Sequence, residues 1–440
     1  MKSKILICLI AIISIIIVFN EDKQDHNQYT SDQCGYYLYL PAVFIYHDLG
    51  SLSFYSEVDK VYSLSLYSLY PYGVKRLNKY SIGVSIFEMP LFLVANSYCK
   101  ITKQYKADGF TLPYQLAGIF SNIAMVILGL IALRKYLIKY HSDTIVLITL
   151  ICLAFGTNLY VYTSFTVGMS HPYSFFLFAM LLLYTDKWYN NPNKISNAVI
   201  LGLIAGFIFL VRPFNIIVYS FPIFWKVYNL ETLRSRLSFL KTNASNTLCV
   251  VLSCLVIASI QFAYWKYITG NWIVYSYQNE GFNFLRPHII NGLFSYRKGW
   301  FLYTPMALIS FCGFLIFWRK NKELAPGILF FLLAMVYMVF SWEEWWYGGG
   351  FSCRPMIEAL PIISLPLASM IEYFYKCRSW LKITSFFTIL TLVATLNLFQ
   401  TYQYSMGLIH WSRMTKEFYW KIFGKISFDR AANEKYLIKE

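Results

Sequence analysis

Twelve apolar stretches recur along the chain, at about 4–19, 81–98, 114–133, 144–161, 172–185, 198–211, 214–228, 246–268, 300–318, 326–342, 356–374 and 382–400. A bilayer core of ~30 Å takes about 20 apolar residues in helical form to cross. Inside lipid, backbone N–H and C=O groups must be satisfied within the segment, which leaves the helix for runs of this kind. The expected fold is therefore all-α: a polytopic integral membrane protein with about 11–13 transmembrane helices. Charged residues make up 14% of the chain, against roughly 25% in soluble domains. Too few polar groups are present to cover so much apolar surface in water.

The net charge of +16 sits in short connections rather than in one stripe. This argues for orientation and anionic headgroups, and against nucleic acid as a partner. Arg134, Lys135 and Lys139 follow one apolar segment, and Lys226, Arg234, Arg236 and Lys241 follow another. Arg319, Lys320 and Lys322, then Lys376, Arg378 and Lys382, follow two more. All can be cytoplasmic together, which places 269–299 and "WEEWWYGGGFSCRP" outside. Trp342, Trp345, Trp346 and Tyr347 are then expected in an interfacial aromatic belt. One conflict of parity remains. With Lys2 and Lys4 inside, a simple count puts Arg134 outside, so either 36–50 also crosses or 81–98 does not cross fully. The expected total is odd, with the C-terminus outside.

The first residues, "MKSKILICLIAIISIIIVFN", resemble a signal peptide, but no small-x-small cleavage site precedes Glu21. An uncleaved first helix is expected. The membrane domain is read as 1–400, with outer loops at about 20–79 and 269–299, and 401–440 as an outer tail. No internal repeat is evident. Nine cysteines stand singly, without metal-ligand spacing. Cys34 and Cys353 can both lie outside, where a disulfide is conceivable.

On this layout the unusual polar residues share the outer side: Asp32, Glu57, Asp59, Lys79, His171, Arg212, Glu280, Arg286, Arg297, Lys298, Glu343, Glu344 and Arg354. Charges near membrane depth are costly and mark function. Asp32, in "SDQCGYYLYLP", reads either as a helix cap or as a general base whose pKa a low-dielectric interface raises. Arg212 in "FLVRPFN" reads as a snorkelling side chain or as a phosphate clamp. Arg297 and Lys298 in "SYRKGW", and Arg354 after the glycines of "WWYGGGFSCRP", extend the phosphate-binding set. Tyr36, His171, Glu343 and Tyr347 are the candidate substrate contacts. Gly348, Gly349 and Gly350 let backbone approach a ligand.

These segments resemble the GT-C glycosyltransferases, polytopic enzymes related to protein O-mannosyltransferases and the bacterial aminoarabinose transferases of lipid A. "NKYSIGVSIFEMPLFLVA" looks like their second core helix. "FGTNLYVYTSFTVGMSHPYSFFLFAMLLL" and "GLIAGFIFLVRPFN" look like helix pairs of bacterial members, and "WWYGGGFSCRPMIEALP" resembles their late W–G–G–x–R–P segment. The pattern covers about residues 1–375. The resemblance implies a sugar donor on polyprenyl phosphate, inverting transfer, and an active site facing outward from a bacterial inner membrane. Asp32 corresponds to the first-loop acidic base, and the tyrosine-rich stretch after it to an interface-parallel helix. The leaving phosphate would be stabilised by Arg212, Arg354 or Arg297. Gln33 stands where an Asp-Glu pair would continue, so no metal ligands are assigned and a divalent metal is left open. Expected partners are membrane lipid, the lipid-linked sugar and a glycan, lipid or protein acceptor. Two other classes use the same basic residues: a transporter or flippase of a lipid-linked anion, and a surface-polysaccharide ligase or polymerase.

Overall fold

The computed structural model describes residues 2–20, 29–427 and 434–439. The cleavage region at Glu21, part of the 20–79 loop and part of the 401–440 tail lie outside the described residues. The regular structure among the described residues is helical apart from one small hairpin. Five helices among the described residues are long and apolar enough to cross a membrane: Lys2–Phe19, Leu112–Leu137, Ala244–Thr269, Arg354–Tyr375 and Trp380–Ser405. Shorter apolar helices accompany them, including Ile195–Val211 and Ala325–Phe340. The chain is thus a helical bundle of membrane-protein character.

Packing follows from residue size. Helix Ile195–Val211 carries Gly202 and Gly206 on the face that meets helix Ala244–Thr269. A Cβ at Gly202 would stand 2.2 Å from the Val250 carbonyl oxygen, and one at Gly206 would stand 2.7 Å from that of Cys254. The two backbones can approach this closely only because small residues recur at a four-residue spacing. Gly270, with φ +79°, then ends the second of these helices in the left-handed conformation usual for a C-terminal glycine.

The bundle has two chemically distinct ends. At one, Arg134 and Ser3 meet Asp143, Lys139 meets Asp186 at 2.7 Å, Lys320 meets Glu372 at 3.2 Å, and His141 shares Glu372. The amphipathic helix Leu230–Thr242, started by an Asn229–Thr232 capping box, lies at this end with no buried residue. At the other end, Asp32, Arg212 and Arg354 surround a cavity.

Helix Gly83–Thr102 begins and ends on the cavity side. Gly83 abuts the backbone of Leu210 beside Arg212. Beyond its far end, the carbonyls of Gly109 and Asp108 accept the hydroxyls of Tyr37 and Tyr46. Within the bundle, 81–98 therefore does not run from the cavity end to the basic end. Segment 36–50 also stays on the cavity side.

Three expectations are corrected. The tyrosine-rich stretch after Asp32, expected as one interface-parallel helix, is two short helices, Ser31–Tyr37 and Tyr39–Phe44, in which Tyr36, Tyr37 and Tyr39 are buried. Their hydroxyls seek partners because burying an unpaired phenol is costly, and Tyr39 donates to the Tyr80 carbonyl. Trp342 and Trp345 are likewise buried. The fold is all-α as expected, with strands Leu69–Tyr72 and Lys75–Asn78 forming one small antiparallel hairpin. Gly73, at φ +60°, supplies the positive φ its two-residue turn requires. All nine cysteines are described and free, so Cys34 and Cys353 are not bridged.

Candidate functional site

Arg212 owes its position to the residue after it. Proline disfavours helical backbone at the preceding residue, and Arg212 leaves helix Ile195–Val211 at φ −150°, ψ 100°. Its guanidinium turns toward His171 and Glu358. Nη1 lies 2.9 Å from the Glu358 carboxylate and 2.8 Å from His171 Nδ1. His171 Nδ1 is also 3.0 Å from the same Glu358 oxygen, so three groups converge. Glu358 is buried, and the ion pair with it fixes Arg212 in place on the cavity wall.

Arg354 enters from the loop 347–354, which the fold holds in unusual backbone. Tyr347 and Ser352 have φ of +54° and +56°, conformations that persist only where surroundings impose them. Those surroundings are specific. The buried Lys298 side-chain nitrogen donates to the Gly350 carbonyl, Tyr162 bonds both main-chain groups of Phe351, and Thr304 meets Ser352 at 3.0 Å. Gly350 is required as glycine, since a Cβ there would stand 2.4 Å from the Tyr162 hydroxyl.

Asp32 closes the site. It lies in the first turn of Ser31–Tyr37, but its side chain makes no cap. It accepts from Arg354 Nη2 at 2.6 Å and from the Tyr80 hydroxyl. Burial pushes its carboxyl up. The Arg354 charge, the Tyr80 hydrogen bond and the Lys79 charge together outweigh that and hold it below the ordinary carboxylate range. The expected upward shift is thus corrected: low dielectric alone would raise it, but the guanidinium in contact reverses the sign. Ser31, next to it, also has positive φ, +52°.

These groups line a cavity of about 430 Å³. Its wall also carries Tyr36, His171 and Tyr347, with Phe214, Phe282 and Trp342 on an apolar flank. Across it, Lys79 is paired with Glu280, and the Ser276 hydroxyl donates to the Lys79 carbonyl at 2.8 Å. This ties the first loop to 269–299.

Of the residues singled out from sequence, Asp32, Tyr36, His171, Arg212, Tyr347 and Arg354 come together on this wall. Arg297, Lys298 and Glu343 do not line it. Arg297 stacks on Trp346 and bonds the Ser412 carbonyl at 3.0 Å, and Lys298 is used inside the loop. Glu343 is exposed, while its neighbour Glu344 reaches the cavity. Glu57 and Asp59 are away from it. Sequence reading missed Glu358 and Tyr80. Glu358 carried a signal, as an ionisable residue within an apolar segment; Tyr80 carried none among 37 tyrosines. Among the described residues no group of three or more His, Cys, Asp or Glu side chains is placed to hold a metal ion. No protein-family model matches the chain, and no curated protein matches it.

Proposed function

We propose that the chain is an integral membrane glycosyltransferase, GT-C-like, that moves a sugar from polyprenyl phosphate to an acceptor at the outer face of a bacterial plasma membrane. The observation that carries this reading is the cavity wall itself, where an ionised carboxylate and two guanidinium groups face one space at the end of an apolar bundle. The carboxylate suits a general base and the guanidinium groups suit a phosphate leaving group. The resemblance of "WWYGGGFSCRP" and "FLVRPFN" to GT-C segments points the same way.

In the reaction, the acceptor O–H or N–H attacks the anomeric carbon. The bond from that carbon to the phosphate oxygen breaks with its electron pair, giving polyprenyl phosphate. Asp32 takes the acceptor's proton, and configuration inverts. Arg354 and Arg212 balance the charge on the departing phosphate.

The proposed topology has eleven crossings. It is supported by eleven segments among the described residues that connect the basic end to the cavity end. They are Lys2–Asn20, Leu112–Leu137, the pair Asp143–Phe155 and Leu159–Ser164, Ser170–Asn190, Ile195–Val211, Pro213–Ile223, Ala244–Thr269, Pro305–Lys320, Ala325–Phe340, Arg354–Tyr375 and Trp380–Ser405. The positive-inside rule makes the basic end cytoplasmic, and the odd number puts 406–440 outside.

The test is Asp32→Asn in proteoliposomes supplied with a polyprenyl-phosphate sugar and acceptor. A positioned base is worth about 10²–10⁴-fold in rate. Turnover is expected to fall on that order while donor still binds. Transfer at the wild-type rate places the base elsewhere. Undiminished movement of intact donor across the bilayer, without transfer by either protein, favours a flippase.

A further inference from the structure

The two arginines of the cavity are not held alike. Arg212 is anchored on Glu358, whose side chain is 1% exposed and off the cavity wall. Arg354 is held by Asp32, which lies on the wall, is 21% exposed, and sits on a seven-residue helix behind a strained Ser31. Arg354 is also short of acceptors. A guanidinium has five N–H donors. Here Nη2 meets one carboxylate oxygen, Nη1 reaches only the Met169 sulfur at 3.8 Å, and Nε is buried without a partner among the described residues. A single-point contact is the weaker form of an interaction this group makes in bidentate fashion with a phosphate.

We infer that a phosphate entering the cavity displaces Asp32 from Arg354, so that binding of the phosphorylated ligand is what releases the carboxylate to act. This rests on the phosphate-donor reading and adds a coupling to it. The titratable and charged groups facing Asp32 are Arg354, Tyr80, Lys79, Tyr36 and Tyr277. Arg354 is the cation in contact with it. When Arg354 leaves, the Tyr80 hydroxyl still orients the carboxylate, which then holds a proton more readily. Before the donor arrives the carboxylate is held by Arg354 and is not free to take a proton. After it arrives, base and leaving-group clamp are set together by one exchange.

The exchange makes Asp32 a competitor of the ligand. Purified full-length protein in detergent is titrated with farnesyl phosphate and with inorganic phosphate. Asp32→Asn removes the competitor with almost no change of shape. It is expected to bind both probes tighter than wild type, on the order of tenfold, the worth of a hydrogen bond to a charged group. A general effect of removing one negative charge is separated in two ways. Glu344→Gln, also on the wall, is expected to leave affinity within about twofold. In an Arg354→Gln background the gain from Asp32→Asn is expected to vanish. Should Arg354→Gln alone fail to fold, the double variant, which leaves no unpaired charge, is compared with wild type: the exchange predicts that it binds weaker. A gain that persists without Arg354, an equal gain from Glu344→Gln, or no gain at all overturns the exchange while leaving phosphate binding intact. Equal affinity for the two probes instead removes the lipid-borne donor and leaves the exchange standing. Failure of every variant and of wild type to bind either probe removes the phosphate reading, and the exchange with it.

Discussion

A carboxylate gripped by a guanidinium and a phenol is ionised but restrained, and that decides how Asp32 responds to pH. Its carboxyl is held below the ordinary range. The folded state thus favours the ionised form, and the pair stabilises the fold at neutral pH. This contribution is fully present above the unfolded pKa of about 3.9 and is lost as pH falls through the depressed folded value. Tyr80→Phe deletes one of the groups that hold the carboxyl down. In that variant the acidic limb of the Asp32-dependent pH–rate profile is expected to move to higher pH. Thermal stability should fall by about 1.5–3 kcal/mol, the worth of a hydrogen bond to a charged group. A limb that stays in place would mean that Tyr80 does not act on the titrating group. Sequence made Asp32 a candidate because a charge beside a membrane helix is expensive. It could not give the sign of the shift, since that depends on Arg354, 322 positions away.

Elements were legible where apolar length dictates them and illegible where contact does. The long helices Leu112–Leu137 and Ala244–Thr269 coincide closely with apolar runs, because lipid leaves a helix as the one way to satisfy their backbone. Helix Gly83–Thr102 has the same kind of run, yet both ends meet the cavity side. Its far end is tied to the start of Leu112–Leu137 across the connection between them, with the Tyr114 hydroxyl 2.9 Å from Asn96. Hydropathy carries no record of such partners. The hairpin Leu69–Tyr72 and Lys75–Asn78 was hidden for a similar reason: four-residue strands rich in Tyr, Pro and Lys have no clear period. At this scale the glycine contact is the most exposed to test. Gly202→Leu puts a side chain where the Val250 carbonyl now sits. Overpacking of this kind costs roughly 1–3 kcal/mol. A matching fall in unfolding temperature in detergent is expected, with Asp32 and Arg354 untouched. No change would mean that the two helices are not in backbone contact.

Taken as a whole molecule, the chain separates two kinds of charge. At one end of the bundle the helix termini hold Lys and Arg in pairs and networks, such as Arg134 with Asp143 and Lys320 with Glu372. The opposite end sets the half-buried Arg212 and Arg354 around a cavity. That polarity was readable from the spacing of basic residues. The course of 81–98 was not, because its return to the cavity end depends on contacts rather than on hydropathy. With the proposed topology, that course makes a sharp prediction. In a cysteine-free background, single cysteines replace the exposed Asn279, Lys103 and Lys320 and are probed in intact cells with a membrane-impermeant thiol reagent. Asn279 and Lys103 are expected to label together from outside, and Lys320 only after the membrane is opened. A hydropathy-based topology in which 81–98 crosses would instead separate Lys103 from the Asp32 side, giving labelling at Asn279 alone. Labelling of Asn279 and Lys320 from the same side would break the orientation itself, since helices Pro305–Lys320 and Ala325–Phe340 carry the chain from the cavity end to the basic end and back. Joint labelling of Asn279 and Lys103 would fix the end at which Asp32, Arg354 and Arg212 meet their ligand, since the loop after Lys103 and the 269–299 loop both close around the segment that carries Asp32.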